Sequence, residues 1–353
     1  MNKSRAISCD CGTMFFQVAE KLEDGSVKTQ IVRNAFVEMD AGEDTEELLT
    51  RNGWNFVRDD DPKIGLKYYI TGEDSLKVAK LFPGKVELRR PLESGVLNKG
   101  EDKKLLVLGK IIESTIGQAP DDKSLVTTCV SSESVDESQD STFHRRRLEA
   151  LFSAKGWNVR TIEEAHAVIL SERPVIIEAD GTESAYSGIG ISFGAGRVNC
   201  VLSYKGVQVI GMSAARSGDW LDEKVAEATG IDKALCTSYK ETKLNLAEPD
   251  IESDIAMAYD AYHDQLFKYI ITLFGNKFQE IKSQFDAPLD IVIAGGTSMP
   301  KGFVEKFKRV VLGMKVPFAI KEIRHAKDPR NAVVFGCLAH AIIAQKKLEK
   351  ETK

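Results

Sequence analysis

The sequence predicts an α/β chain made of two similar halves, and three observations carry that expectation. Two glycine-rich turns of one design, Asp10-Cys11-Gly12-Thr13 and Ser192-Phe193-Gly194-Ala195-Gly196, stand 182 positions apart, and each opens a β-hairpin. Each turn belongs to a three-strand meander that gives way to alternating helix and strand patterns, the mark of a sheet covered by helices. At 353 residues the chain also exceeds what one hydrophobic core usually serves.

In the first half, β-rich segments at 5–11 and 14–20 are joined by Gly12-Thr13, and 28–33 extends the meander after a turn at Asp24-Gly25. Residues 34–68 show little periodicity and several breakers, including Asp59-Asp60-Asp61-Pro62, so they read as a small appended lobe. Tyr68-Tyr69-Ile70 then leads to a helix over 74–81. Leu105, Leu106, Leu108, Ile111, Ile112 and Ile116 recur at helical spacing through 101–117, a strand follows at 125–130, and a helix over 141–155 ends at Gly156. The Ser/Asp/Glu-rich stretch 131–141 is too short for a domain linker and reads as a solvated polar loop.

The second half repeats the plan in architecture, not in letters. Tyr186 to Phe193, Arg197 to Tyr204 and Val207 to Met212 form its meander, after which Ser217 or Asp219 can cap a helix reaching about Thr229. Apolar residues across 250–284 predict a long helical region, as one bent helix or two. A short apolar strand, Leu289 to Ala294, runs into Gly295-Gly296-Thr297-Ser298, followed by a helix over 300–312, a strand near 318–323 and a last helix from about Asp328 to Leu348.

Composition narrows the function classes. A net charge of −5 gives no global attraction to nucleic acid or anionic lipid, and mixed-sign runs such as Glu101-Asp102-Lys103-Lys104 read as solvated faces. The six cysteines lie mostly in apolar contexts that suit buried, reduced thiols. Cys9-x-Cys11, the one close pair, puts both sulfurs on one strand face without further ligands for a metal. No stretch approaches the roughly 18 apolar residues of a membrane span, and the ends, Met1 to Arg5 and Gln345 to Lys353, are polar. The expectation is a soluble cytoplasmic protein with no direct nucleic-acid partner and no membrane anchor.

The glycine turns carry the chemistry. Gly12 and Gly194 to Gly196 let the backbone bend sharply and turn N–H groups toward a phosphate, and Thr13 adds a hydroxyl donor. One such turn is usually only a tight turn; a pair at matching places in two similar halves, facing each other, would grip a nucleotide triphosphate. Gly295-Gly296-Thr297-Ser298 ends its strand with Ser298 placed to cap a helix that tolerates Pro300 in its first turn. Its N–H groups would face a ribose or phosphate, or the segment is a plain strand-to-helix turn.

With these residues in view, the chain resembles the actin family of ATPases, and within it most closely the bacterial MreB-type actins. Five segments carry the resemblance in the family's order: Asp10 to Thr13, Ile162 to Ile169 around Glu164, Gly190 to Gly196, Ile291 to Ser298, and Asp328 to Gly336. Arg90 to Val96 and Ser217 to Glu223 are also similar to MreB-type sequence. The resemblance implies a two-lobed, duplicated ribonuclease H-like fold with nucleotide in the interdomain cleft. Domain I would span 1–163 plus 328–353 with a subdomain near 34–68, and domain II 164–327 with a subdomain near 217–284.

It also implies residue roles. Asp10 would hold Mg²⁺ through water, while Glu164 would orient the water that attacks the terminal phosphate, chemistry that suits a carboxylate. Phosphates of ATP or ADP would lie on Gly12, Thr13, Met14, Gly194, Ala195 and Gly196, and adenosine on Gly295, Gly296, Thr297 and Ser298. Lys240 and Glu241 would touch adenine and ribose, although Tyr239 to Lys243 equally reads as a solvated helix face, and Glu163 lies one register from Glu164. Where a proline usually follows this glutamate, Ala165 stands here.

Ser192 is the clearest departure, since the family carries an aspartate there. Serine cannot add negative charge beside a cation, so weaker Mg²⁺ retention and slow or absent hydrolysis are expected. Arg197 is expected to point to solvent from its strand, or otherwise to supply charge to a phosphate. The implied function is a nucleotide-dependent cytoskeletal protein that polymerises with copies of itself, with cargo adaptors as further partners. The alternatives are a non-polymerising ATP-binding adaptor of the FtsA or PilM type and a small-molecule kinase.

Overall fold

The computed structural model describes residues 4–351 except 41, 43, 62–64, 83–84, 98–101, 138–140, 173–175, 178–180, 182 and 283–287. The chain divides into two compact units. One comprises residues 1–128, 142–161 and 341–353, and the other residues 129–141 and 162–340.

The first unit is organised on the sheet β3-β2-β1-β7-β8. Strands β1 (Ala6–Cys11), β2 (Phe15–Lys21) and β3 (Val27–Arg33) form the expected antiparallel meander. β7 (Leu125–Val130) runs parallel to β1, and β8 (Asn158–Glu163) lies outside it. A parallel neighbour needs a long crossover. Here the connection from the meander to β7 contains the lobe and helix α3 (Asp102–Ile116), and α4 (Ser141–Ser153) lies between β7 and β8. The apolar stripe of α3 is shifted from the expected one: Val107, Leu108, Ile111 and Ile112 are buried, while Leu106 is 46 % exposed. Lys104 takes an inner position because its ammonium reaches the carboxylate of Glu93.

Residues 36–81 form a lobe with its own core, more regular than the breakers in the sequence imply. β4 (Phe36–Asp40), β5 (Phe56–Asp61) and β6 (Gly65–Thr71) make an antiparallel sheet in the order β4-β6-β5, with α1 (Thr45–Arg51) and α2 (Glu73–Leu81) completing the lobe. Val37, Leu49, Tyr68, Ile70 and Val78 pack together. Asp59 to Asp61 therefore lie on a strand, not in a turn. β5 is the sheet's edge, where charged residues are tolerated and discourage pairing with another chain. Pro62 lies outside the described residues, as do Met1 to Lys3 and part of the polar stretch 131–141.

The second unit repeats the sheet order as β13-β12-β11-β14-β15. β11 (Gly188–Phe193), β12 (Val198–Tyr204) and β13 (Val207–Ala214) are the second meander, β14 (Leu289–Ala294) runs parallel to β11, and β15 (Ile320–His325) runs parallel to β14. A separate two-residue pair, β9 (Ile176–Ile177) and β10 (Glu183–Ser184), precedes the meander. Each sheet thus sets a hairpin beside a parallel strand, as the duplicated pattern predicts.

Helix α5 (Glu164–Glu172) crosses β11 at very short range. A Cβ at Gly190 would lie 2.3 Å from the Ala165 carbonyl oxygen, and one at Gly336, on α10 (Ala332–Glu351), 1.8 Å from the Ala167 carbonyl oxygen. Only glycine permits these two approaches.

Three helices follow the meander: α6 (Gly218–Thr229), α7 (Lys233–Thr242) and α8 (Asp254–Gln279). The region expected as one bent helix or two is the single 26-residue α8. Helix α9 (Phe303–Leu312) starts three residues later than the expected 300. Ser298 does not cap it: the N-cap is Gly302 in a left-handed conformation, and the Ser298 hydroxyl instead donates to the Gly295 carbonyl within a 3₁₀ turn at Gly296–Ser298. Behind β11 the core is aromatic, with Phe193 packed edge-on against Phe267, Phe303 and Phe307 at 5.0–5.9 Å between ring centroids.

All six cysteines are buried and unbridged. Among the described residues, no helix is long and apolar enough to cross a membrane.

Candidate functional site

The second glycine turn connects β11 to β12 and is held by its carbonyls. The Gly194 carbonyl accepts from the Gly218 N–H at 3.1 Å and the Thr297 hydroxyl at 2.8 Å. The Ala195 carbonyl accepts from the Asp219 N–H at 2.8 Å and the Ser217 hydroxyl at 2.5 Å. Ser217 is the N-cap residue of α6, as expected, but its hydroxyl serves the turn rather than its own helix. Among the described residues, the N–H groups of Ala195 and Gly196 have no hydrogen-bond partner. With the carbonyls tied back and these donors open, the turn has the polarity of an anion-binding nest.

Asn34 supports the first turn, between β1 and β2. Asn34, fully buried, donates its Nδ2 to the Gly12 carbonyl at 2.8 Å and its backbone N–H to the Met14 carbonyl at 2.9 Å. Its Oδ1 is buried without a partner. Thr13 is buried, while Asp10, Gly12 and Met14 are half-buried.

Glu164 opens α5 beside the second turn. Ser192, only 1 % exposed, donates its hydroxyl to Glu164 Oε1 at 2.6 Å, and Asn199 Nδ2 donates to Oε2 at 2.9 Å. Asn199 Oδ1 accepts the Ser132 N–H at 3.2 Å, which fixes the amide's orientation so that its NH₂ faces the carboxylate. The neighbouring Glu163 points elsewhere, onto the Ser132 hydroxyl, where a Cβ at Gly211 would come within 2.4 Å of its Oε2. Of the two glutamates, the one brought to Ser192 is Glu164.

Arg197 does not point to solvent. It is 3 % exposed, its Nη1 donates to the hydroxyls of Ser134 and Ser213, and its Nη2 lies 3.3 Å from Glu137. Burial pulls its pKa down, while the charges of Glu137, Asp136 and Glu164 act in the opposite direction; guanidinium remains protonated in such surroundings. The stretch expected as a solvated loop is correspondingly fastened. Asp136 accepts from the Ala215 N–H and the Tyr269 hydroxyl, and the Val135 N–H donates to the Ser213 carbonyl. A buried arginine needs partners, and 131–137 supplies them.

Lys240 and Glu241 separate in role. Both lie on α7, but Lys240 is 7 % exposed, pairs with Asp222 at 2.7 Å and donates to the Gly218 carbonyl at 3.0 Å. Asp222 also accepts from the hydroxyls of Tyr259 and Thr237, each at 2.7 Å, so its charge is fully compensated. Burial and the Asp222 charge push the Tyr259 phenol well above its usual range. Glu241 is exposed. Lys240 therefore does not belong to a solvated face: it holds the first turn of α6, whose N–H groups hold the second glycine turn. Gly295 closes against the strand that leads into that turn, since a Cβ there would lie 2.3 Å from the Phe193 carbonyl oxygen, whereas a Cβ at Gly296 would meet nothing within 4 Å.

The sequence matches the family described as Volactin over residues 5–341. The chain belongs to the Volactin family. No curated protein matches it. Solved structures similar to this volactin-family chain include MreB5 of Spiroplasma citri bound to AMPPNP, at 14 % identity and a TM-score of 0.67, covering 99 % of this chain and 100 % of that one. The same Spiroplasma citri protein bound to ADP matches at 16 % identity and a TM-score of 0.65, covering 98 % and 99 %. A MamK double helical filament matches at 16 % identity and a TM-score of 0.66, covering 97 % and 99 %. The fold is therefore the two-lobed actin-like fold of the MreB type, as the sequence resemblance implies.

Asn34, Asn199 and Asp222 escaped the sequence reading. A signal existed for Asn199: it interrupts Val198-Asn199-Cys200-Val201-Leu202, an otherwise apolar strand whose polar member must find partners inside.

Proposed function

We propose that this chain is a cytoplasmic, nucleotide-dependent cytoskeletal protein that binds ATP with Mg²⁺ and adds head to tail to copies of itself, forming filaments. The observation that carries the reading is the second turn, whose Gly194 and Ala195 carbonyls are engaged while, among the described residues, the N–H groups of Ala195 and Gly196 are left open. That polarity suits an anion, and phosphate oxygens are anionic acceptors of this kind. The nucleotides named for the Spiroplasma citri MreB5 structures and the filament named for MamK support the same reading.

In this reading, Gly194 to Gly196 and Gly12 to Met14 carry phosphates, and Gly295 to Ser298 carries adenosine. Of the α7 pair, Glu241 is the exposed group for ribose hydroxyls, because Lys240 is committed to Asp222. Asp10, a half-buried carboxylate beside a glycine turn, fits a Mg²⁺ ion held through water. The metal would neutralise phosphate charge and Glu164 would orient the attacking water. Ser192 leaves one carboxylate fewer for the cation than the MreB-type pattern, so slow turnover is expected. Head-to-tail contacts between identical subunits do not close, and an open polymer follows.

The test is sedimentation and electron microscopy of the purified chain with ATP and Mg²⁺, with ADP, and without nucleotide, alongside calorimetric ATP titration. Saturable ATP binding with nucleotide-dependent filaments is expected. A chain that binds ATP yet stays monodisperse at high concentration would remove polymerisation and leave an adaptor. One that binds no ATP would remove the whole reading.

A further inference from the structure

Glu164 receives two neutral donors and no carboxylate neighbour on β11 or β12. Its Oε1 takes the Ser192 hydroxyl at 2.6 Å and its Oε2 the Asn199 amide at 2.9 Å, from strands that are buried throughout this stretch. The amide cannot rotate away, because its oxygen is spoken for by the Ser132 N–H. Resting on the nucleotide reading above, we infer that Ser192 and Asn199 are positioning residues that hold Glu164 as an oriented carboxylate, with the 131–137 strap fixing Asn199. Ser192 is then not simply a lost metal-site acid. It is the hydroxyl half of a two-point clamp on the water-orienting group.

The surrounding charges are consistent with this role. Arg197, on the residue preceding β12, senses Glu164 together with Glu137 and Asp136. Glu163 is turned onto Ser132, and β11 carries no ionisable side chain beside the clamp. Two hydrogen bonds to one carboxylate restrict its rotation, and losing the alignment of a catalytic group by about 1 Å can cost on the order of a hundredfold in rate. An aspartate at 192 would set a second carboxylate within hydrogen-bond distance of Glu164, where the two repel or must share a proton. The inference therefore reverses the direction that restoring the family's aspartate would otherwise suggest.

Two measurements test it. The first needs no nucleotide: isotope-edited infrared difference spectra, each taken against Glu164→Gln, isolate the Glu164 carboxylate stretch at fixed pH. The band is expected to shift in Ser192→Ala and in Asn199→Ala, and to return in Ser192→Thr, which keeps the hydroxyl. The second is ATP turnover with Mg²⁺, in which Ser192→Ala, Asn199→Ala and Ser192→Asp are each expected to lose roughly tenfold to a hundredfold in kcat with KM nearly unchanged.

An unmoved carboxylate band in both alanine variants overturns the inference, as does faster turnover in Ser192→Asp. Failure of the wild-type chain to bind ATP overturns the nucleotide reading instead, and the infrared result still decides whether the clamp exists.

Discussion

At Gly12 an added Cβ would lie 2.8 Å from the Phe15 carbonyl oxygen, and at Gly194 it would lie 2.8 Å from that of Arg197. The two hairpins thus fold back over the same three-residue span, by the same close approach. What stands behind them differs. The first turn is held by a buried asparagine, which donates to two of its carbonyls. The second is held by four donors from α6 and the 295–298 segment, and α6 is in turn fixed by the Lys240–Asp222 pair. The acid also differs, Asp10 in one and Ser192 in the other. Duplication has kept the backbone that makes the shape, whereas the side chains that support and charge it have diverged.

The largest expected effect separates the turns through the core behind the second one. His263, fully buried against Phe267 and Phe303, has its pKa lowered from 6.5 to about 4, chiefly by burial. Above pH 6.5 both folded and unfolded chains carry it neutral. As pH falls below 6.5 the unfolded chain gains the proton first, so stability drains away until about pH 4, by on the order of 3 kcal/mol in all. Melting curves from pH 8 to pH 4 should show this loss in the wild type and less of it in His263→Phe, which fills the same aromatic cage without titrating. Hydrogen exchange in β11 and α9 should rise with it. Equal acid slopes in the two proteins would contradict the assignment.

Next come the glycines themselves. Gly12→Ala and Gly194→Ala each force a methyl group onto a backbone oxygen that cannot swing aside, at a cost of about 1–3 kcal/mol. Because the intrusion is identical, the expected losses in stability and in ATP affinity are similar. A variant harmless in one turn and damaging in the other would show that the shared backbone is not shared in solution.

Asn34→Ala follows. It removes the only side-chain donor to the Gly12 carbonyl among the described residues and leaves that oxygen in a partly buried place, for roughly 1–2 kcal/mol. Hydrogen exchange should quicken in β2 around Phe15 and Phe16 while the second turn is unaffected, and ATP binding should weaken. Unchanged exchange there would mean that the Asn34 backbone N–H suffices to hold the turn.

How much of this was legible in advance depends on the range of the interaction. The two meanders, the parallel strands 125–130 and 289–294 and the glycine turns follow from local alternation and turn chemistry, and they appear within a residue or two of their expected ends. Contacts set by tertiary packing did not. Arg197 reads as a strand-edge cation and is buried, because its partners come from a stretch 60 residues earlier whose polarity suggested only solvent. Lys240 reads equally as an adenine or ribose contact and as part of a solvated helix face, and it is paired with Asp222 on another helix. Asp59 to Asp61 read as breakers and form an edge strand, since the pairing that makes them one lies in β6. Among the candidate residues of each unit, the residue types at Asp10, at Glu164 and at the glycines were visible, but the clamp on Glu164 joins three elements and has no spacing of its own.

The smallest effect is the sharpest test of redundancy. Ser217→Ala deletes the 2.5 Å bond from its hydroxyl to the Ala195 carbonyl, yet that oxygen keeps the Asp219 N–H at 2.8 Å, so no buried acceptor is orphaned. The expected cost is that of a hydrogen bond whose acceptor remains satisfied, about 0.5–1 kcal/mol, well below that of Asn34→Ala in the other turn. The N-cap position adds little to this, because the Ser217 side chain makes no capping bond to α6. Paired chemical denaturation of the two variants measures the difference directly. If Ser217→Ala proved the more costly, the hydroxyl would be orienting the whole start of α6, and the four donors would have to be treated as one cooperative unit rather than as spares for one another.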